Sequence, residues 1–249
     1  ANTEGDYNTA VGSAALDSAT TADQNTAIGY QALQAATTGG SNVAVGSLSL
    51  KSVTTAVCNT AVGRDALEAN TSSNMTAFGF KALEANTTGG QNTALGYTTL
   101  QVNTTGGSNT AVGYQVLVAN TTASSNTGVG DRVLVANTAS SNTAVGCFAM
   151  QANTTGTANV ALGLNALNDN TTGDGNTAVG SGALDLNTTA DNNTAVGRNA
   201  LGANTTASNN VAIGKDAMVA NTTGGENVAV GENALDANTT ASYNVAVGR

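Results

Sequence analysis

The sequence predicts an all-β fold, a parallel β-solenoid of about fourteen coils, and three observations carry that expectation. A glycine closes the same five-residue phrase fifteen times, from Asn8-Thr9-Ala10-Val11-Gly12 to Asn244-Val245-Ala246-Val247-Gly248. These glycines stand at 12, 29, 46, 63, 79, 96, 113, 130, 146, 163, 180, 197, 214, 231 and 248, so the repeat is 17 residues long apart from two single-residue deletions, before Gly79 and before Gly146. The composition agrees: 30 Gly, no Pro, no Trp, no His and 9% charged residues describe a stacked, turn-rich chain. No closed globular core has so small a translational unit. Residues 1–249 therefore read as a single solenoid repeat domain, with function on a surface and not in a pocket.

With each of these glycines counted as position zero, the columns of the repeat follow in order. Position −2 is Ala in fourteen repeats, Gly128 being the exception, and −1 is always apolar (Val11, Ile28, Val45, Val62, Phe78, Leu95 and so on to Val247). Position −3 is Thr or Val, two side chains of one shape and different polarity. In a strand −3 and −1 share one face and −2 takes the other, so one face lines the coil interior and the other meets something else. The glycine itself answers a need for positive φ or for close approach of neighbouring coils, where a Cβ would clash. Position +4 is Leu or Met throughout and +3 is mostly Ala, which predicts a second short strand near the Ala-Leu phrase, joined to the first by a tight turn at the glycine.

The next phrase is Ala-Asn-Thr-Thr, as at Ala85-Asn86-Thr87-Thr88, with Thr at +8 in all fourteen repeats that contain it. Stacked Asn and Thr side chains at strand spacing hydrogen-bond along their columns and satisfy turn backbone. That demand of the coil generates Asn-x-Thr glycosylation patterns without any sugar. All seven basic residues fall at +1, +2 or +5, and the acidic residues fall there, at +6 (Asp169) or in the turn before the repeated Asn, which makes these phases the expected solvent face. Both deletions fall between +8 and −3. A slip inside a strand would turn every following side chain to the wrong face, so the expectation is unbroken core columns, Leu83 and Met150 buried, and a tightened outer loop at Ser72-Ser73 and at Ala139-Ser140.

Several functions are argued against. The net charge is −9 and the basic residues are scattered singly, leaving no stripe for nucleic acid. No apolar run reaches the length of a membrane span. The absence of His removes the usual general base, no pair of carboxylates recurs in neighbouring apolar positions, and Gly128-Val129-Gly130 arises only because Gly128 replaces the repeat's Ala. No enzyme, cofactor or metal site is expected. Cys58 and Cys147 sit at different phases, about five coils apart, and read as free thiols. Phe80, Tyr97 and Tyr114 share the +1 phase on consecutive coils and form an expected exposed aromatic row, the candidate ligand-binding site. A core of one Leu, one Val and a few Ala per coil is thin against the cost of ordering 17 residues, so further apolar surface is expected to be buried between chains.

The run Asn25-Thr26-Ala27-Ile28-Gly29-Tyr30-Gln31-Ala32-Leu33 resembles the Ser-Val-Ala-Ile-Gly-x-x-Ala repeat of trimeric autotransporter adhesin heads of the YadA type, and is similar to repeats of bacteriophage tail fibres. The resemblance covers essentially the whole chain; the repeat here is longer by the Asn-Thr-Thr turn. It implies a left-handed β-roll, a homotrimer with the Val/Ile strand toward the common axis, and a non-enzymatic structural fibre on a cell surface or virion. Such a fibre self-associates and displays sites for a host-surface glycan or protein. The chain begins and ends inside a repeat, as a section of a longer fibre would. The alternatives are an ice-binding face, for which Thr at coil spacing is suited, and a carbohydrate-binding solenoid using the aromatic row.

Overall fold

The structure is a computed structural model that describes residues 4–249, and it is a parallel β-solenoid of about fourteen turns. Two compact units divide the chain, one ending at Ser125 and one running from Asn126 to Arg249. The first carries β1 (Thr9–Val11), β2 (Thr26–Ile28), β3 (Val43–Val45), β4 (Thr60–Val62), β5 (Thr76–Phe78), β6 (Thr93–Leu95) and β7 (Thr110–Tyr114). The second carries β8 (Thr127–Asp131), β9 (Thr143–Val145), β10 (Val160–Leu162), β11 (Thr177–Val179), β12 (Thr194–Val196), β13 (Val211–Ile213), β14 (Val228–Val230) and β15 (Val245–Val247). Within each unit every strand pairs in parallel with the next, the −2 residues opposite one another, as at Ala27 with Ala44 and Ala178 with Ala195.

The strand faces separate as the alternation requires. From β2 to β14 the −2 alanines point into the coil and are fully buried, whereas −3 and −1 face out. The repeated glycine combines both demands made of it. Gly46 has φ +133, and a Cβ there would lie 2.5 Å from the carbonyl oxygen of Gly63 and 2.6 Å from its carbon, so the next coil occupies the space a side chain needs.

One expectation is overturned: the Ala-Leu phrase is not a strand. The +3 and +4 residues, such as Ala32 and Leu33 or Ala166 and Leu167, are both fully buried, which a strand's two-residue alternation forbids. The chain resolves the conflict by placing +2 and +4 in the left-handed region, with φ 54 at Gln31 and 49 at Leu33. Each coil thus turns a corner with two consecutive side chains inward. Coil-to-coil hydrogen bonding continues through the corner, Leu33 N–H donating to Ser49 O at 3.0 Å and Leu167 N–H to Ala183 O at 2.9 Å.

Two columns of asparagine complete the interior. At −4, Asn stands in fourteen of fifteen repeats, and its backbone N–H donates to Oδ1 of the Asn one coil earlier, as Asn42 to Asn25 at 3.0 Å and Asn176 to Asn159 at 2.8 Å. Its Nδ2 donates to a carbonyl of the outer turn, Asn25 to Gly39 O at 2.9 Å. At +7 the residues are Ala19, Ala36 and Val53 in the first coils and Asn from Asn70 onward. There Nδ2 donates to Oδ1 of the preceding coil, Asn103 to Asn86 at 2.8 Å and Asn170 to Asn153 at 2.7 Å, and also to the carbonyl three residues on. Thr at +8 sends its hydroxyl to the carbonyl of the next coil's Thr, Thr37 to Thr54 at 3.2 Å. The asparagines of the Asn-Thr-Thr phrases between Asn86 and Asn221 are therefore buried, with their amide nitrogens engaged by hydrogen bonds.

Both deletions are absorbed where expected. Ala61 still pairs with Ala77 and Gly128 with Ala144, and Leu83 and Met150 are fully buried. The shortened turns reveal themselves in the ladder: Asn70 and Asn137 bond the carbonyls of Ser72 and Ala139, two residues on instead of three. The two sites differ in cost. Asn126 Nδ2 still reaches Ala139 O at 2.8 Å, whereas Asn59 Nδ2 finds no protein partner, and buried Met75 takes the place of its successor Asn.

Two substitutions test this account. Gly180→Ala meets the Gly197 carbonyl at 2.5 Å and forces a residue with a Cβ to φ +131; we expect a loss of at least ~2 kcal/mol, read from the urea midpoint. Asn170→Asp replaces the donor to Asn153 Oδ1 and Gly173 O by a carboxylate oxygen. It should cost about 3 kcal/mol at neutral pH, and the loss should shrink on acidification as the buried carboxyl takes up a proton.

Candidate assembly face and aromatic ridge

The outward face of the sheet is the most regular surface of the molecule. Every coil contributes one Thr or Val at −3 and one apolar side chain at −1, without a charge in either column. Between the two terminal strands, the −1 residues that stand furthest out are Phe78, 55% exposed, Ile213 at 41% and Ile28 at 39%. At strand spacing, seven or eight strands with two outward side chains each make a flat stripe of roughly 35 by 10 Å on each unit.

The ridge beginning at +1 carries the predicted aromatic row. In the first unit Phe80 and Tyr97 stack with ring centroids 5.3 Å apart and planes 19° from parallel, and Tyr97 and Tyr114 follow at 5.4 Å and 13°. The Arg64 guanidinium and the Lys81 ammonium each lie 5.7 Å from the Phe80 centroid. The rings use their faces on one another, so the row offers solvent its edges and two phenolic hydroxyls. A sugar lying flat against a ring does not find a free face between them.

Charges gather along the same ridge. Lys81 donates to Glu84 at 2.7 Å, and this bond holds the Lys81 ammonium above its ordinary pKa. In the second unit Lys215 lies 3.0 Å from Glu232 and 3.4 Å from Asp216. Hydrogen bonds from Lys215 hold the Glu232 carboxyl below its usual range; those from Asn199 and then Lys215 do the same for Asp216. The expectation that +2 faces solvent fails: Gln31, Lys81 and Gln115 are half-buried, Thr98 is 7% exposed, and Asp65 is only 3% exposed, tucked under the corner with its carboxylate 3.3 Å from Arg64 Nε.

A shallow notch of about 260 Å³ interrupts the second unit's ridge. Gly202 stands at +5 between coils that carry Asp185 and Val219, and the missing side chain opens the gap, with Gly182 and Leu186 at its margin. Burial and the neighbouring Asp169 carboxylate push the Asp185 carboxyl up. Among the described residues no three His, Cys, Asp or Glu gather to hold a metal ion, and no helix is long and apolar enough to cross a membrane. Cys58 and Cys147 are free thiols, Cys58 exposed and Cys147 partly so.

No family model matches the chain, and no curated protein matches it.

Of the features singled out in the sequence, the structure brings Phe80, Tyr97 and Tyr114 into one stack and sets the −3/−1 columns on one face. The internal role of the −4 asparagines was missed, although fourteen Asn in fifteen repeats was a visible signal.

The Asp185 shift has a definite sign. A carboxyl whose pKa is raised by folding contributes stability below its unfolded value and loses it as pH rises through the folded value. Asp185→Asn should therefore stabilise the protein by a few tenths of a kcal/mol at pH 7, and the gain should vanish near pH 3 in parallel thermal melts.

Proposed function

We propose that this chain is a self-associating structural module of an extracellular fibre, three copies packing their −3/−1 faces around a common axis as left-handed β-rolls. The observation that carries the reading is the unbroken absence of charge from two outward columns over fifteen strands, on a chain that places charge freely on its other ridges. Stripes of roughly 35 by 10 Å on each unit give a chain about 700 Å² to offer, close to one partner's share of a standard stable interface. The same identical coil surface on each copy suits a closed symmetric assembly. The resemblance to adhesin-head and tail-fibre repeats supports the same reading, with the corner and ridge residues left outward to meet a host-surface glycan or protein.

One feature favours a second reading. The outward Thr60, Thr76, Thr93 and Thr110 form an uninterrupted column in the first unit, an array suited to an ice surface when the chain stands alone.

Sedimentation equilibrium separates the two. A species of three times the 24.2 kDa chain mass is expected, and Val179→Asp should convert it to single or unfolded chains by placing unpaired carboxylates at the seam. A folded single chain that depresses the freezing point would overturn the fibre reading and establish the other.

A further inference from the structure

A fibre made of near-identical coils has a problem of register. Sliding one copy by a single coil against its partners forfeits only one coil's worth of contact, since each −3/−1 pair looks much like the next. Register must therefore come from departures from the repeat on the outward face, and the most prominent is Phe78. It is the one aromatic residue in the −1 column, it stands 55% exposed on β5, and its strand neighbours are Val62 and Leu95. The shortened turn before Gly79 does not alter its placement, because Thr60-Ala61-Val62 and Thr76-Ala77-Phe78 remain paired residue for residue.

The geometry points to Phe78 as the residue that sets the register in which copies of this chain assemble, an inference that rests on the assembly reading above. In register, the Phe78 rings of all copies share one layer and fill it together. One coil out of register, each ring enters a layer built for Val62 or Leu95 and leaves its own layer underfilled, so overpacking and a void arise at once. The −3 column acts in the same direction. In register Thr meets Thr and Val meets Val, whereas a one-coil slip pairs Thr with Val at five of fourteen aligned positions (Thr26 with Val43, Val43 with Thr60, Thr143 with Val160, Val160 with Thr177, Thr194 with Val211) and buries those hydroxyls against methyls.

The test uses chains carrying C58S and C147S, half with Val179→Cys and half with Val196→Cys, co-expressed, oxidised and read by peptide mass. Positions 179 and 196 face out on adjacent coils, so a 179–196 link between chains reports a one-coil slip. The Phe78 chains should give 179–179 and 196–196 links almost alone, and Phe78→Val should raise the 179–196 share at least about fivefold. Adding Val62→Phe to Phe78→Val places the bulky layer one coil away in every chain and should restore the single register. Trimers in which Phe78→Val leaves the 179–196 share unchanged, or in which Val62→Phe fails to reduce it, overturn the register inference and leave the assembly reading intact. Single chains without links in the Phe78 protein overturn both.

Discussion

Backbone satisfaction is the constraint on which this fold depends. Most strands contribute only three residues to a 17-residue coil, so most peptide groups lie outside the sheet and still need partners. The coil supplies them in two ways. Corner and turn N–H groups reach the adjacent coil directly, and the two asparagine columns send side-chain amides to carbonyls that the backbone geometry leaves open. An asparagine carries two N–H donors as well as an acceptor in a short side chain, where threonine has a single donor. A ladder of them can therefore bond along its own column while also bonding to the turn, which neither Leu nor Thr can do. The apolar core can then be thin, because much of the interior is a hydrogen-bonded column in place of hydrocarbon.

The close approach of the coils follows from the same economy of space. Bonds of 2.7 to 3.0 Å between successive asparagine side chains require coils stacked at strand distance around the whole circuit, including the corner after the sheet. The glycine at zero is where that stacking leaves no volume for a Cβ, and the small −2 residue on the inner face keeps the cross-section narrow.

Much of this was legible from residue columns. The glycine spacing gave the coil, the −2 and −1 columns gave the strand and its two faces, and the phase of the deletions located the shortened turns. Three things were not. Adjacent buried columns at +3 and +4 were read as strand because Ala-Leu carries no mark of left-handed backbone, and leucine is not a residue expected at φ near 50. Asp65 was placed in solvent because its column elsewhere carries Gln31, Lys81 and Gln115, yet those three are themselves half-buried and Thr98 at the same phase is buried, so the corner draws most of the column inward. Phe80, Tyr97 and Tyr114 do stack in one row, with Phe80 half-buried, but only coordinates reveal that the rings cover one another's faces.

The shortened turns bear on how such a chain changes over time. Tandem DNA repeats gain and lose residues by replication slippage, and in most folds an odd-length indel inside a repeating element would scramble everything downstream. Here the stretch between the two asparagine columns is one residue shorter in two repeats while the strands beyond stay in step. At one of those places the Asn59 amide is left unpartnered, and at the other Asn126 still reaches the shortened turn. That stretch is a buffer zone for length mutation, the part of each coil where new sequence can be tried while the frame of the columns is kept.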